Sequence, residues 1–466
     1  MTSNLPPEIE KRNRGSLERF LGLFADVRRG EGGVVLLLAL NVFLILTAYY
    51  IIKPVREALI LAAPDGAEWK SYAAAGQALL LLGAVPAYGW VASRVDRRKL
   101  INTVTVFFVL NMLAFFLAIK AVGPGSLVLG LGFFLWVGVF NLMVPAQFWS
   151  FANDVYTPDQ GKRLFAIVAF GASLGAVLGS LITERLIEPI GLDQLLLVSS
   201  ALLVVALLIT NFIESREARR PRPARGSSSG GSETQEEDPK EALRGENGFS
   251  LVFKTRYLLL IATLMLLLNW VNTTGEFILG DTVKTTIEAR AEEQGIPSDQ
   301  RDQWVGENIG EFYGSFFKIV NILSLSIQLF LVSRILKYIG IRIALLILPV
   351  IAMGGYALLA FYPVLSVVRW AKTAENATDY SLQNTVRHAL FLPTTREQKY
   401  KAKQAIDSFF VRAGDVLSAV LVFVGLNVLS FETKGFALFN LGLVGLWLVI
   451  AVLIGREHAK LTGGED

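Results

Sequence analysis

Lys53, Arg56 and Glu57 stand in "YYIIKPVREALIL" (residues 49–61), at the end of a long apolar run. Along that run Asn41, Ile45, Tyr49, Lys53 and Arg56 recur at helical spacing and form one stripe. Lys53 and Glu57 are one turn apart and within reach of each other, and Pro54 between them predicts a kink or a local opening. A second segment, "RWAKTAENATDYSLQNTVRHALFL" (369–392), puts Arg369, Lys372, Asn376, Tyr380, Gln383 and Arg387 on one broad face. Glu375 and Asp379 lie beside that face, and Asn384 belongs to the same stretch. One Arg, Lys or Asp at the centre of a membrane helix costs about 2.5–3.5 kcal/mol, so this helix facing lipid would cost on the order of 10 kcal/mol or more. Its charges must line water or pair inside a bundle. Arginine forks grip phosphate with two hydrogen bonds and lysine supplies a point charge. Lys53, Arg56, Arg387 and Arg412 therefore suit a polyanionic substrate, with Tyr49, Tyr50 and Tyr380 placed to stack on a base or to line a cavity wall.

These side chains need a scaffold that crosses a membrane. Of the 466 residues 53% are hydrophobic and 18% charged, a balance unlike that of a soluble domain. Twelve spans are expected, at 33–61, 71–93, 101–119, 127–151, 164–182, 193–213, 256–279, 312–335, 342–361, 363–391, 404–428 and 435–455. The fold expected is an all-α polytopic membrane protein with two six-helix halves, 33–213 and 256–455. The polar, Gly-, Ser- and Pro-rich segment 214–255 reads as the linker between them. "LERFLGLF" (17–24) reads as an interfacial helix within the N-terminal segment 1–32, and 456–466 as a tail. The 280–311 connection is too long for a tight turn and reads as a helical excursion.

Basic residues crowd the loops "SRVDRRK" (93–99), "GKR" (161–163) and "TTREQKYKAK" (394–403). The opposite loops 62–70, 120–126 and 183–192 hold few, so both termini are expected in the cytoplasm of a cell with this protein in its inner membrane. No removable signal peptide is expected before the first span. The net charge of +4 sits in those loops, which argues against nucleic acid as a partner. There is no cysteine, there are only two histidines, and no GxxxxGK[ST] or HExxH spacing occurs. No cofactor, metal or enzymatic activity is therefore expected, and the lipid bilayer and a small anion are the partners of an expected monomer.

Polar residues concentrate in spans one, four, seven, eight, ten and eleven. They include Asn141 and Gln147, Asn269, Asn272 and Glu276, Lys318 and Asn321, and Asp407, Arg412 and Asp415. Spans three, six, nine and twelve are nearly clean, as the outer helices of the major facilitator plan are, and that plan joins two six-helix halves by such a linker. "GWVASRVDRRKL" (89–100) is similar to that superfamily's loop signature, with Ser93 where an acid is usual. The halves echo each other: "AIVAFGASLGAVL" (166–178) aligns with "AIDSFFVRAGDVL" (405–417), and "YYIIKPVREAL" (49–59) with "YSLQNTVRHAL" (380–390). Gly171, Gly175 and Gly179 make a close-packing stripe.

"YYIIKPVREALIL", "FWSFANDVYTPDQGKRLF" (148–165) and "DYSLQNTVRHALFLPTTREQKYKAKQAID" (379–407) resemble the ATP/ADP translocases of plastids and obligate intracellular bacteria. The resemblance runs over most of the chain and rests most on Tyr49, Tyr50, Lys53 and Arg56, then on Phe148, Trp149, Asn153, Lys162 and Arg163, and on Tyr380, Lys403, Asp407 and Arg412. It implies nucleotide exchange by alternating access. The chain departs from the family's pattern at Val137, Gly138 and Asn141, where an acid is usual, at Asn272, where glutamate is usual, and at Asp415, where a lysine follows the glycine.

The substrate-binding set expected is thus Tyr49, Lys53, Arg56, Tyr380, Asn384, Arg387 and Arg412. Glu57, Asn272, Glu276, Asp379, Asp407 and Asp415 are expected to balance charge or carry protons. Two alternatives stay open: a proton-coupled carrier of another polar solute, and a membrane scaffold or sensor that transports nothing. Pairs such as Lys372 with Glu375 or Asp379, and Arg412 with Asp415, would also serve simply to close the bundle.

Overall fold

A backbone in hydrocarbon must satisfy every N–H and C=O within its own segment, and so the apolar runs become helices. The computed structural model describes residues 30–218 and 247–462, together with Glu18, Leu21 and residues 26–28. The expected interfacial helix 17–24 and residues 219–246 of the linker lie largely outside the described residues. Ten described helices are long and apolar enough to cross a membrane. One of them, Asp159–Arg216, is 58 residues long and holds two spans, because Gly191 takes φ +85° just after Pro189 and breaks it. The tenth span is too polar to count among the ten and is built from two α-helical pieces, Leu365–Thr378 and Asn384–Ala389. Together these give the twelve spans of an all-α, multi-pass membrane protein.

Span one, Gly32–Ala62, runs through Pro54 as one helix. Its connection to span two, Gly66–Ala92, is only three residues long. Asp65 takes φ +50°, and a Cβ on Gly66 would lie 2.1 Å from the carbonyl oxygen of Ile60. That turn permits only a residue without a side chain at 66, and it carries the first turns of span two back beside the last turns of span one. Lys70 is thereby brought next to Glu57.

The glycine stripe of span five is the seat of span one. Added Cβ atoms at Gly171, Gly175 and Gly179 would lie 2.6, 2.3 and 2.4 Å from the carbonyl oxygens of Ala39, Phe43 and Thr47. Two helices approach this closely only where side chains are absent. The second half repeats the device: Gly414 of span eleven, the partner of Gly175 in the internal echo, would set a Cβ 2.8 Å from Leu266 O and Trp270 N of span seven.

Span seven, Arg256–Glu293, continues well beyond 279 and turns at Gly295 into Ser298–Phe330, which carries span eight. The 280–311 connection is therefore a helical hairpin. Its side of the bundle also holds the contacts that join the halves. Lys284 Nζ donates to Ala63 O at 2.5 Å, Asn427 Nδ2 to Glu68 Oε1 at 3.3 Å, and Lys318 Nζ to Glu184 at 2.7 and 2.5 Å. Asn321 Nδ2 reaches Ala176 O and Ser180 Oγ, both at 3.3 Å. At the other end, where the basic loops lie, polar residues between the spans are exposed: Asn141, Asn153, Asp154, Asn384, Asp407 and Ser408. The cavity between the halves opens toward the basic loops and closes toward the hairpin.

At the basic-loop end Arg97 bridges Asp154 at 2.9 Å and Glu214 at 3.4 Å, which ties span three to spans four and six. Arg163 bridges Glu31 at 3.0 Å and fastens the start of span one to span five.

Candidate functional site

A chain of alternating charges crosses the closed end of the cavity. It begins on span one, where the Arg56 guanidinium donates to Glu57 Oε1 and lies 4.5 Å from the Phe134 ring centre. The other oxygen of Glu57 is 2.7 Å from Lys70 Nζ on span two. Lys70 also lies 3.9 Å from Glu276 Oε2 on span seven, so here the chain passes from one half to the other. Glu276 Oε1 is 3.6 Å from Lys372 Nζ on span ten and accepts from Asn376 Nδ2 at 3.0 Å. Lys372 in turn donates to Glu375 Oε1 at 3.1 Å and to Asn272 Oδ1 at 2.9 Å. Glu57, Lys70, Lys372 and Glu375 are all buried.

The backbone makes room for this chain. A Cβ on Gly275 would meet Tyr356 Oη at 2.2 Å and Lys372 Nζ at 3.0 Å, so span seven needs glycine there for the ammonium to pass. Tyr356 Oη lies within hydrogen-bond distance of Val271 O at 3.2 Å and of Glu375 Oε2 at 3.3 Å, and its one hydrogen serves one of them at a time. Arg56, Lys70 and Lys372 balance Glu57, Glu276 and Glu375. Paired in this way, each charge escapes most of the cost of leaving water.

Lys53 stands outside that balance. Among the described residues no carboxylate lies within ion-pair distance of its ammonium. Three rings take the carboxylate's place: Phe317 at 3.9 Å from ring centre to Nζ, Tyr50 at 5.2 Å and Tyr380 at 5.6 Å. Aromatic faces attract a cation through their quadrupole without neutralising it. Lys53 is only 8% exposed, so its amino group sits at low dielectric beside the cavity.

Lys53 and Glu57, within reach of each other one turn apart, do not pair. Span one turns the two side chains to different neighbours, and the tight turn at Gly66 delivers Lys70 to Glu57 instead. Tyr49 is buried and stacks on Phe140 with centroids 6.2 Å apart. Tyr380 is 40% exposed and forms part of the cavity wall beside Lys53. It belongs to a π-helical turn, Asp379–Gln383, of the kind that recurs where helices carry function. Asn384 Oδ1 accepts from Arg387 Nη2 at 2.9 Å, one turn nearer the basic loops.

Arg412 and Asp415 form a separate cluster on span eleven at 3.2 Å, where Asp415 Oδ1 also accepts from Asn269 and Thr273 at 2.7 and 2.8 Å. Asp407 pairs with Lys403 at 2.6 Å near the basic-loop end. The structure thus brings Lys53, Arg56, Glu57, Asn272, Glu276 and Tyr380 together, and places Asn384, Arg387, Asp407, Arg412 and Asp415 elsewhere in the second half.

Sequence reasoning passed over Lys70 and Phe317. Lys70 read as the last residue of a loop, yet it is the one basic residue in 62–70 and falls in the second turn of a helix. Phe317 lies in "EFYGSFFK", whose aromatic density is its only signal.

The Major Facilitator Superfamily profile matches residues 35–374. Among curated relatives, ADP,ATP carrier protein 1 of Chlamydia pneumoniae is 22% identical over 362 residues, which are 68% of this chain and 64% of that carrier's length. ADP,ATP carrier protein 2 of Chlamydia trachomatis serovar D is 21% identical over 529 residues, covering 96% of this chain and 92% of the relative. Among solved structures, a POT family transporter in complex with a thioalcohol-conjugated peptide aligns with TM-score 0.62 at 14% identity, over 92% of this chain and 97% of that one. The nucleoside transporter NupG aligns with TM-score 0.55 at 13% identity, over 92% and 99%. With twelve spans, two halves closed at one end and a charged cavity between them, the chain belongs to the Major Facilitator Superfamily of membrane transporters.

Proposed function

We propose that this transporter exchanges nucleotides, of the ATP/ADP type or a related phosphorylated anion, by alternating access. The observation that carries the reading is the unbalanced Lys53. Three cations and three carboxylates cancel across the closed end, and one further ammonium is held by rings alone. Such a site gains most from an anion. Arg387, one turn beyond Asn384 toward the basic loops, supplies a second cation with a fork that suits phosphate. The likeness to the chlamydial ADP,ATP carriers, whose names state their substrate, supports the nucleotide over other anions. With the basic loops in the cytoplasm, both termini are cytoplasmic, the membrane is the inner one, and the conformation described is open to the cytoplasm.

The test is uptake by proteoliposomes against a panel of labelled nucleotides and phosphorylated metabolites, with and without counter-substrate inside. Exchange that needs internal nucleotide and ignores a pH gradient supports the reading. Uptake of a neutral solute driven by the gradient would replace it with the proton-coupled alternative.

A further inference from the structure

We propose that Phe317 is the coupling residue of this carrier: its ring ties Lys53 across the interface between the halves, and an anion that draws the ammonium away releases the tie. The proposal rests on the anion-exchange reading above and goes beyond it, because it says why the unloaded protein would not turn over. Lys53 belongs to span one and Phe317 to span eight, so the 3.9 Å contact joins one half to the other. Phe317 is 3% exposed and fixed in place: Tyr313 lies 5.7 Å away and tilted, Phe316 at 5.3 Å edge-on, and Tyr50 at 6.4 Å edge-on. A ring held on all sides cannot follow the ammonium when it moves.

The neighbouring residue strengthens the assignment. Lys318, next in sequence, makes the ion pair to Glu184 that also joins the halves. Two consecutive residues of span eight therefore grip the other half, one by charge and one by its ring face. Only the ring contact involves a group with uncompensated charge, and so only that contact competes with an incoming anion. A ligand shifts a two-state equilibrium by its differential affinity for the two states. Substrate at Lys53 removes a contact made in the conformation closed at the hairpin end, and this loads the balance toward opening there.

The test uses the full-length protein with Phe317→Leu and Phe317→Trp, purified and reconstituted. In wild type, nucleotide uptake should depend on nucleotide inside the vesicle. In Phe317→Leu, uptake into vesicles without internal nucleotide should rise about thirtyfold, the size of one desolvated cation–π contact, while Phe317→Trp keeps the dependence. A second readout needs no substrate. The chain has no cysteine, so Ala63→Cys at the closed end is a unique target for an impermeant maleimide. Its labelling in the absence of nucleotide should speed up in Phe317→Leu and stay slow in Phe317→Trp. Unchanged labelling and unchanged dependence on internal nucleotide in a folded Phe317→Leu protein would overturn the tie. Faster labelling in Phe317→Leu with no nucleotide transport in wild type would keep the tie and overturn the substrate reading instead.

Discussion

Glu57 and Lys70 meet across a three-residue turn, carboxylate to ammonium at 2.7 Å, and both are almost shut off from solvent. Glu57 also takes the Arg56 guanidinium, so one carboxylate satisfies two buried cations. The two members of this pair are therefore not equivalent. Glu57→Gln strands Arg56 and leaves Lys70 only the more distant Glu276, 3.9 Å away, and should cost about 3–5 kcal/mol, the usual penalty for removing one partner of a buried pair. Lys70→Gln leaves Glu57 bound to Arg56 and should cost less. Thermal unfolding of the two purified variants checks the order, and a more damaging Lys70→Gln would contradict it.

Lys53 is expected to act on substrate and not on Glu57. Lys53→Gln should abolish exchange with little loss of stability, since it removes a charge that has no carboxylate partner. Adding Glu57→Gln should rescue nothing, because Glu57 neutralises Arg56 and Lys70. Uptake assays on the single and double variants, with expression and melting temperature as controls, decide this. Recovery of transport in the double variant would show that Lys53 serves Glu57 after all.

The two glycine contacts between helices give a stability prediction with an internal control. Gly175→Ala and Gly414→Ala place a methyl group 2.3 Å from Phe43 O and 2.8 Å from Leu266 O, so the helices must part. Each should destabilise by about 1–3 kcal/mol. Gly354 of span nine has no atom within 4 Å of an added Cβ, and Gly354→Ala should stay within about 0.5 kcal/mol of wild type. Equal losses at all three positions would mean that close approach does not set the cost, because helix propensity by itself favours alanine over glycine.

Glu31, just ahead of span one, gives a pH dependence. Burial pushes its carboxyl up, but hydrogen bonds from Arg163, the Arg28 backbone N–H and Gln160 outweigh burial and hold it below the ordinary carboxylate range. A lowered folded-state value stabilises the protein above the unfolded-state value of about 4.3, and the contribution disappears as pH falls through the lowered one. Wild type and Glu31→Gln should therefore differ in melting temperature at pH 7 and converge in strong acid. A difference that grows on acidification would contradict the assignment.

The membrane fold was legible because its signals are long. Eleven apolar runs each draw on many residues, so errors at single positions cancel. The stripe Gly171, Gly175, Gly179 was legible for another reason: close helix approach has few solutions in side-chain chemistry. The charge chain was read less completely. Its members come from four spans, and sequence spacing reports only neighbours along one helix. Hence Lys372 with Glu375 was visible at a separation of three, whereas Lys70 with Glu57 and Glu276 with Lys372 depend on a turn and on the packing of span seven against span ten. Span ten reads as one helix in sequence. Its π turn at Asp379–Gln383 has no simple compositional mark, and it sets the direction of Tyr380.

The glycine stripe has a mechanical consequence. With its carbonyls set against Gly171, Gly175 and Gly179, span one is clamped to span five along three turns, and Lys53 can travel only as part of that rigid body. Phe317 travels with the other. The separation between ammonium and ring is then a gauge of how far the two bodies have turned, independent of any local flexing of span one. An infrared-active phenylalanine analogue at position 317 would read that gauge from inside a lipid bilayer, following each stroke of the carrier without a bulky reporter on its surface.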